Sequence, residues 1–222
     1  MDQLALMKVV AEKAVDENVK SNSVIALGTG RTASFAVKRV GQLLKEGKLE
    51  NITAISTSVQ TFELIKELNI PYISIDDAMS SNLSIEVAID GADAVDPNLN
   101  LIKGAGGALF REFLVEQYAK EFVVIVDESK MCTDLLSHCK VPIEVVNFGH
   151  LSTCKLVYNT LKEHIAEWSV RKGADGSTFI TDNGNVIMDV KFSGGDVDTL
   201  HRKINEVCPF SCVSTTILSF EL

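Results

Sequence analysis

Four short runs of apolar residues, at 24–27, 52–55, 85–89 and 122–126, alternate with longer stretches whose apolar positions recur at helical spacing. This pattern constrains the fold more than any other feature. The runs are apolar at nearly every position, broken only by Thr53 and Glu86, rather than alternating, as strands buried on both faces of a parallel sheet are. The intervening stretches, 4–19, 32–44, 61–68 and 108–120, read as helices covering that sheet, and 72–75 reads as a further strand after Pro71. The expected class is α/β.

The pattern changes after about residue 130. Segments 141–146, 169–171, 178–181, 186–190 and 213–220 read as strands, and 153–164 and 197–207 as helices. Asp182-Asn183-Gly184-Asn185 reads as a hairpin turn. This is the signature of a smaller α+β unit. The expected domains are therefore 1–131, with a Rossmann-like and mostly parallel sheet, and 132–222, with a boundary good to about eight residues.

The chain has 222 residues, enough to bury a substantial core. No apolar run reaches the roughly 18 residues that a membrane span needs. No basic segment followed by an apolar one opens the sequence, so a cytoplasmic protein is expected. The five cysteines, Cys132, Cys139, Cys154, Cys208 and Cys212, are odd in number. None pairs at C-x-x-C spacing, so reduced thiols are expected rather than a disulfide framework or a metal site. The net charge of −9 argues against nucleic acid and anionic membrane as partners. A phosphorylated metabolite would need a local site of backbone N–H groups and a few lysines.

Four segments can carry chemistry. Gly28-Thr29-Gly30-Arg31-Thr32-Ala33 joins a buried strand to a helix, where free N–H groups can cradle a phosphate. It lacks the third glycine of a dinucleotide fingerprint and the lysine of a P-loop. The structural alternative is a plain turn with Thr32 as cap. Asp90-Gly91-Ala92-Asp93 follows the strand at 85–89, at the carboxyl end where open α/β sheets bind ligands. Its two carboxyl groups can exchange protons with a substrate hydroxyl, or be an ordinary acidic loop. Lys103-Gly104-Ala105-Gly106-Gly107 runs into a helix carrying Glu112; its amides can converge on an anion while Lys103 faces a developing oxyanion. Glu112 is otherwise a dipole-stabilising surface residue. Asp127-Glu128-Ser129-Lys130 follows the last apolar strand, and Lys130 can reach an anion or belong to a solvated cluster. The four histidines form no nucleophile arrangement with Ser or Cys, and Trp168 is expected in the core.

In this order, these segments resemble the ribose-5-phosphate isomerase A family. The likeness rests on G-T-G-x-T-A at Gly28–Ala33, D-G-A-D at Asp90–Asp93, K-G-x-G-x-A-L-x-R-E at Lys103–Glu112 and D-x-S-K at Asp127–Lys130. It continues through V-P-I-E-V from Val141 and T-D-N-G-N from Thr181. The resemblance implies a Rossmann-like domain beside a smaller α+β domain, and an aldose–ketose isomerase that uses no metal or organic cofactor. It implies interconversion of ribose 5-phosphate and ribulose 5-phosphate through an enediolate, within the non-oxidative pentose phosphate pathway, by a homodimer or homotetramer. Glu112 would be the base and Asp90 would assist ring opening. Asp93 and Lys103 would hold the reacting oxygens. Thr29, Gly30, Arg31, Thr32 and Lys130 would bind phosphate, with Gly91, Ala92, Gly104, Ala105 and Gly106 lining the sugar. Lys8 falls where the family often has a lysine near the phosphate. Arg31 replaces the usual serine, Ala94 a common acidic residue, and the family pattern continues with a further strand beyond 213–220. Isomerisation of another sugar phosphate, or non-catalytic binding of one, are the alternatives. The presence of all four acid–base residues favours an enzyme.

Overall fold

The computed structural model describes residues 2–207, 214–215 and 217–218. In chain order the elements are α1 (Gln3–Asn18), β1 (Val24–Leu27), α2 (Arg31–Lys45), β2 (Thr53–Ser56), α3 (Val59–Glu67), α4 (Ile75–Ser80), β3 (Ile85–Gly91), β4 (Ala94–Val95), β5 (Leu101–Ile102), α5 (Leu109–Tyr118) and β6 (Ala119–Ile125). They continue as α6 (Leu135–His138), β7 (Val141–Val145), α7 (His150–Leu161), β8 (Ile165–Val170), β9 (Val186–Phe192), α8 (Val197–Val207), β10 (Ser214–Thr215) and β11 (Ile217–Leu218). Among the described residues no helix is long and apolar enough to cross a membrane.

Two compact units form, one from 2–91 with 111–129, the other from 92–110 with the described residues from 130 onward. The sequence suggests one boundary near 131. The difference is the segment 92–110, whose two short strands join a sheet of the second unit.

The first unit holds a parallel sheet in the order β2-β1-β3-β6. Ile25, Ala26 and Leu27 of β1 are buried, as its apolar run requires. On α2, Ala33, Ala36, Val37, Val40 and Leu43 recur at helical spacing and are buried. Val37, Val40 and Leu43 each contribute about 1.5–3 kcal/mol by leaving water. From β1 the chain moves outward to β2, then returns past β1 to β3. The direction reverses between β1 and β3, so their carboxyl ends open a crevice at Gly28 and Asp90.

In the second unit an antiparallel sheet runs β10-β7-β9-β8, and a smaller one runs β11-β5-β4. Its core gathers Ile143 and Val145 of β7, Val186, Met188 and Val190 of β9, Val157 and Leu161 of α7, and Leu200 and Ile204 of α8. Trp168 is half-buried and packs against this core.

Several expected elements differ. Segment 72–75 is not a strand: Tyr72 makes one isolated bridge to Ala54, and helix α4 starts at Ile75. The Ser74 side chain accepts the Asp77 N–H, and Asp76 and Asp77 occupy the first turn. This cap prevails over the short apolar pattern. Segment 178–181 also fails as a strand beyond a bridge from Thr178 to Lys172. Thr181 is committed to the following turn, where its N–H donates to the Asn185 carbonyl. The strand expected at 169–171 begins earlier, at Ile165. Of 213–220, only β10 and β11 fall among the described residues; the rest of that strand, with Cys208 and Cys212, lies outside them.

Candidate active site

At the β1–β3 crevice, Asp90 is 2% exposed at the end of β3. Its Oδ1 accepts the N–H of Thr29 at 3.1 Å and that of Gly91 at 2.6 Å. Gly28 makes this approach possible, since a Cβ there would stand 1.9 Å from Asp90 Cγ. The Gly28–Ala33 turn and the Asp90–Gly91 loop, about sixty residues apart in sequence, are thus one cluster.

The turn is not capped as expected. Gly30, at φ +105°, is the N-cap of α2 and makes no side-chain cap bond, so Thr32 is not the cap. Thr29 instead places its hydroxyl 2.9 Å from that of Thr57, and Thr61 donates its hydroxyl to the Gly28 carbonyl at 2.7 Å. Thr57 and Thr61 were not singled out from the sequence, although Thr57 directly follows β2. The strand-end rule that identified Asp90 identifies this position as well. Arg31 is exposed at the start of α2. Lys8 is 58% exposed and pairs with Glu12 at 3.7 Å on the surface of α1.

The second cluster lies within 92–110. Asp96 nucleates a turn by accepting the N–H groups of Asn98 and Asn100 at Oδ1, both at 2.9 Å. The turn folds β4 back on β5 in antiparallel register, Ala94 opposite Ile102. The Asp93 N–H then donates to the Ile102 carbonyl at 2.7 Å, and Asp93 Oδ2 accepts the Ala105 N–H at 2.8 Å. The hairpin therefore brings Asp93 to the glycine loop from twelve residues away. Lys103, directly after β5, is 2% exposed.

Glycine is required in this loop. Gly104 and Gly107 have φ of +100° and +84°, and a Cβ at Gly107 would stand 2.6 Å from the Phe179 ring. The loop is also held by a residue without a motif of its own. Arg171 donates Nη1 to the carbonyls of Gly104 and Ala105 at 3.0 and 2.9 Å, and grips Asp189 through Nε and Nη2 at 2.9 and 2.5 Å. No short-range sequence signal identifies Arg171, because its partners depend on the register of β8 and β9.

Glu112 lies in the first turn of α5 and is 4% exposed, with Glu116 one turn later at 6%. Lys130 ends a 3₁₀ turn, Glu128–Lys130, and is half-buried. Among the described residues no group of three or more His, Cys, Asp or Glu side chains could hold a metal ion.

A family model described as ribose 5-phosphate isomerase A (phosphoriboisomerase A) matches residues 53–213. A relative from Arabidopsis thaliana, named probable ribose-5-phosphate isomerase 2, is 45% identical over 191 residues, 86% of this chain and 70% of its own. A solved ribose 5-phosphate isomerase from Plasmodium falciparum superposes with a TM-score of 0.89 at 38% identity, over 98% of this chain and 91% of that one. A D-ribose-5-phosphate isomerase in complex with phospho-erythronic acid superposes with a TM-score of 0.86 at 36% identity, over 98% and 93%. With a family match over most of its length and close relatives that share its fold, this chain belongs to the ribose 5-phosphate isomerase A family.

Proposed function

We propose that the chain interconverts D-ribose 5-phosphate and D-ribulose 5-phosphate through an enediolate. One observation carries the assignment of the chemistry to particular residues. Asp90, Lys103 and Glu112, charged members of the family motifs, are 2%, 2% and 4% exposed. Charged side chains are rarely buried so completely without a partner or a task.

The reaction starts from the furanose. Asp90 takes the proton of the O1 hydroxyl as the C1–O4 bond breaks, and O4 gains a proton, leaving an aldehyde at C1. Glu112 removes the proton on C2, and the electron pair moves through C1 onto O1. Such a proton is weakly acidic, so a base must act together with stabilisation of the oxyanion. A positioned base supplies about 10²–10⁴-fold, and an oxyanion donor can add about 3–4 kcal/mol. Lys103 and the amides of the Gly104–Gly106 loop fill the second role, and Asp93 holds a substrate hydroxyl. The O2 proton passes to O1, Glu112 returns its proton to C1, and C2 becomes the ketone. Thr29, Gly30, Arg31, Thr32 and Lys130 bind phosphate; Gly91 and Ala92 line the sugar.

We place this activity in the cytoplasm, in a homodimer or homotetramer. The free thiols of Cys132, Cys139 and Cys154 fit a reducing compartment.

A panel of pentose and hexose phosphates tests the substrate, with chelator present throughout. Ribose 5-phosphate should turn over fastest, and phospho-erythronic acid should inhibit it. The Glu112→Gln variant should bind that acid and lose about 10³-fold in kcat. Near-wild-type turnover in this variant would remove Glu112 from its role, and an inert ribose 5-phosphate beside another active sugar phosphate would overturn the substrate.

A further inference from the structure

We propose that Arg171 is a positioning residue for this reaction, holding the glycine loop so that its amides face away from the guanidinium. The inference rests on the isomerase reading above.

A trans peptide group carries its C=O and N–H on opposite sides. The peptide linking Gly104 to Ala105 is held at both ends: its C=O accepts from Arg171 Nη1 at 3.0 Å, and its N–H donates to Asp93 Oδ2 at 2.8 Å. The next C=O, of Ala105, also accepts from Nη1, at 2.9 Å. That bond turns the Gly106 N–H away from Arg171, as a donor available to an oxyanion. One guanidinium thus sets two consecutive peptide planes immediately after Lys103.

Arg171 is itself fixed. Its Nε and Nη2 make a two-point contact with Asp189 of β9, and both side chains are less than a fifth exposed. Its guanidinium lies 5.9 Å from the centre of the Phe179 ring, the ring that a side chain at Gly107 would strike. A planar fork can hold a carboxylate on one edge and two carbonyls on the other; an ammonium cannot. The loop has positive φ at Gly104 and Gly107 and no side chain larger than a methyl group from Gly104 to Gly107. Without Arg171 the Gly104–Ala105 peptide keeps its bonds to Asp93 and the Gly107 N–H, but the Ala105 carbonyl loses the donor that orients the next peptide, and an oxyanion donor misplaced by about 1 Å costs about 10²-fold in rate.

The test combines Arg171→Ala, Arg171→Lys and Asp189→Asn. Loop order is read by amide hydrogen exchange without substrate, and function by kcat and KM for ribose 5-phosphate. In Arg171→Ala, exchange at Ala105 and Gly107, whose N–H groups donate to Asp93 and to the Gly104 carbonyl, should rise by about tenfold or more while β7 and β9 stay protected. Its kcat should fall about 100-fold with KM changed less than about threefold. Asp189→Asn should show the same split in weaker form. Arg171→Lys should recover part of the kcat, and guanidinium ion should partly restore Arg171→Ala. Unchanged loop exchange, or a loosened loop with unchanged kcat, would overturn the proposal, as would a kcat loss proportional to the unfolded fraction. If Arg171→Ala does not fold, the other two variants decide by the same criteria. A wild-type protein inert on ribose 5-phosphate would defeat the isomerase reading, and the exchange measurement would still decide the clamp.

Discussion

Gly28 and Asp90 occupy a space that admits the aspartate carboxyl group or a methyl group at residue 28, but not both. A Cβ on Gly28 would lie 1.9 Å from Asp90 Cγ and 2.0 Å from its Oδ1. The same oxygen accepts the N–H groups of Thr29 and Gly91, so the close approach defines the conformation of both loops.

Gly28→Ala therefore forces the carboxyl group out of its position. The expected loss of stability is about 1–3 kcal/mol, as for other overpacked sites. Turnover should fall by more than the folded fraction explains, because Asp90 and the Thr29 turn move together. A urea titration beside steady-state kinetics reads both effects. Full activity in this variant would show that the Thr29–Asp90 contact is dispensable.

The two clusters differ in how far they can be read from sequence. Asp90 and Thr29 follow strands that are apolar at nearly every position, and the switch-point rule places them together. Asp93 and Lys103 are nameable from their motifs, but their juxtaposition depends on strands β4 and β5, two residues each and too short for periodicity to register. The turn residues Asp96, Pro97 and Asn98 are the signal that could have revealed the hairpin. Arg171 and Asp189 are beyond such reasoning, since eighteen residues separate them and only the pairing of β8 with β9 brings them together. At Ser74 the local cap prevailed over a strand-like apolar pattern, a conflict that composition alone does not resolve.

Glu144 organises the turn at 181–185. It is fully buried in β7, and its Oε1 accepts from the Thr181 hydroxyl at 2.8 Å, Asn183 Nδ2 at 3.1 Å and Asn185 Nδ2 at 3.0 Å. Glu144→Ala strips all three donors of their acceptor and leaves a cavity, with an expected cost of about 2–4 kcal/mol. Glu144→Gln keeps one acceptor oxygen and should cost less than half as much. Equal losses for the two variants, measured by urea unfolding, would show that the carboxylate charge matters rather than the packing volume or a single acceptor oxygen.

His201 gives the fold an acid-sensitive contribution. Burial pushes its pKa below the ordinary 6.5, with Asp198 opposing more weakly. Asn205 Nδ2 lies 3.1 Å from His201 Nε2, a contact suited to a neutral ring that accepts there. The unfolded chain takes up the proton at higher pH than the folded one. Stability from this group is therefore fully present above about pH 6.5 and declines as pH falls through the folded value. His201→Gln retains an acceptor without titrating, so its urea midpoint should fall less than that of the wild type between about pH 7.5 and 5.5. Parallel falls would remove His201 from the acid response.

Cys154 reports on the core of the second unit. It is buried with Val157 and Leu161 on one face of α7, and burial pushes its thiol pKa up to about 11. Only the thiolate reacts with iodoacetamide, and at about pH 8 that form is about 10⁻³ of the total even when reagent can reach it. Cys132 is half-buried rather than buried, and burial raises its thiol as well. In native protein Cys154 should be alkylated far more slowly than Cys132, by about 100-fold or more, because opening and ionisation must coincide. In urea the two rates should converge. Peptide mass spectrometry resolves the sites, and matching native rates would mean that α7 separates from its sheet without global unfolding.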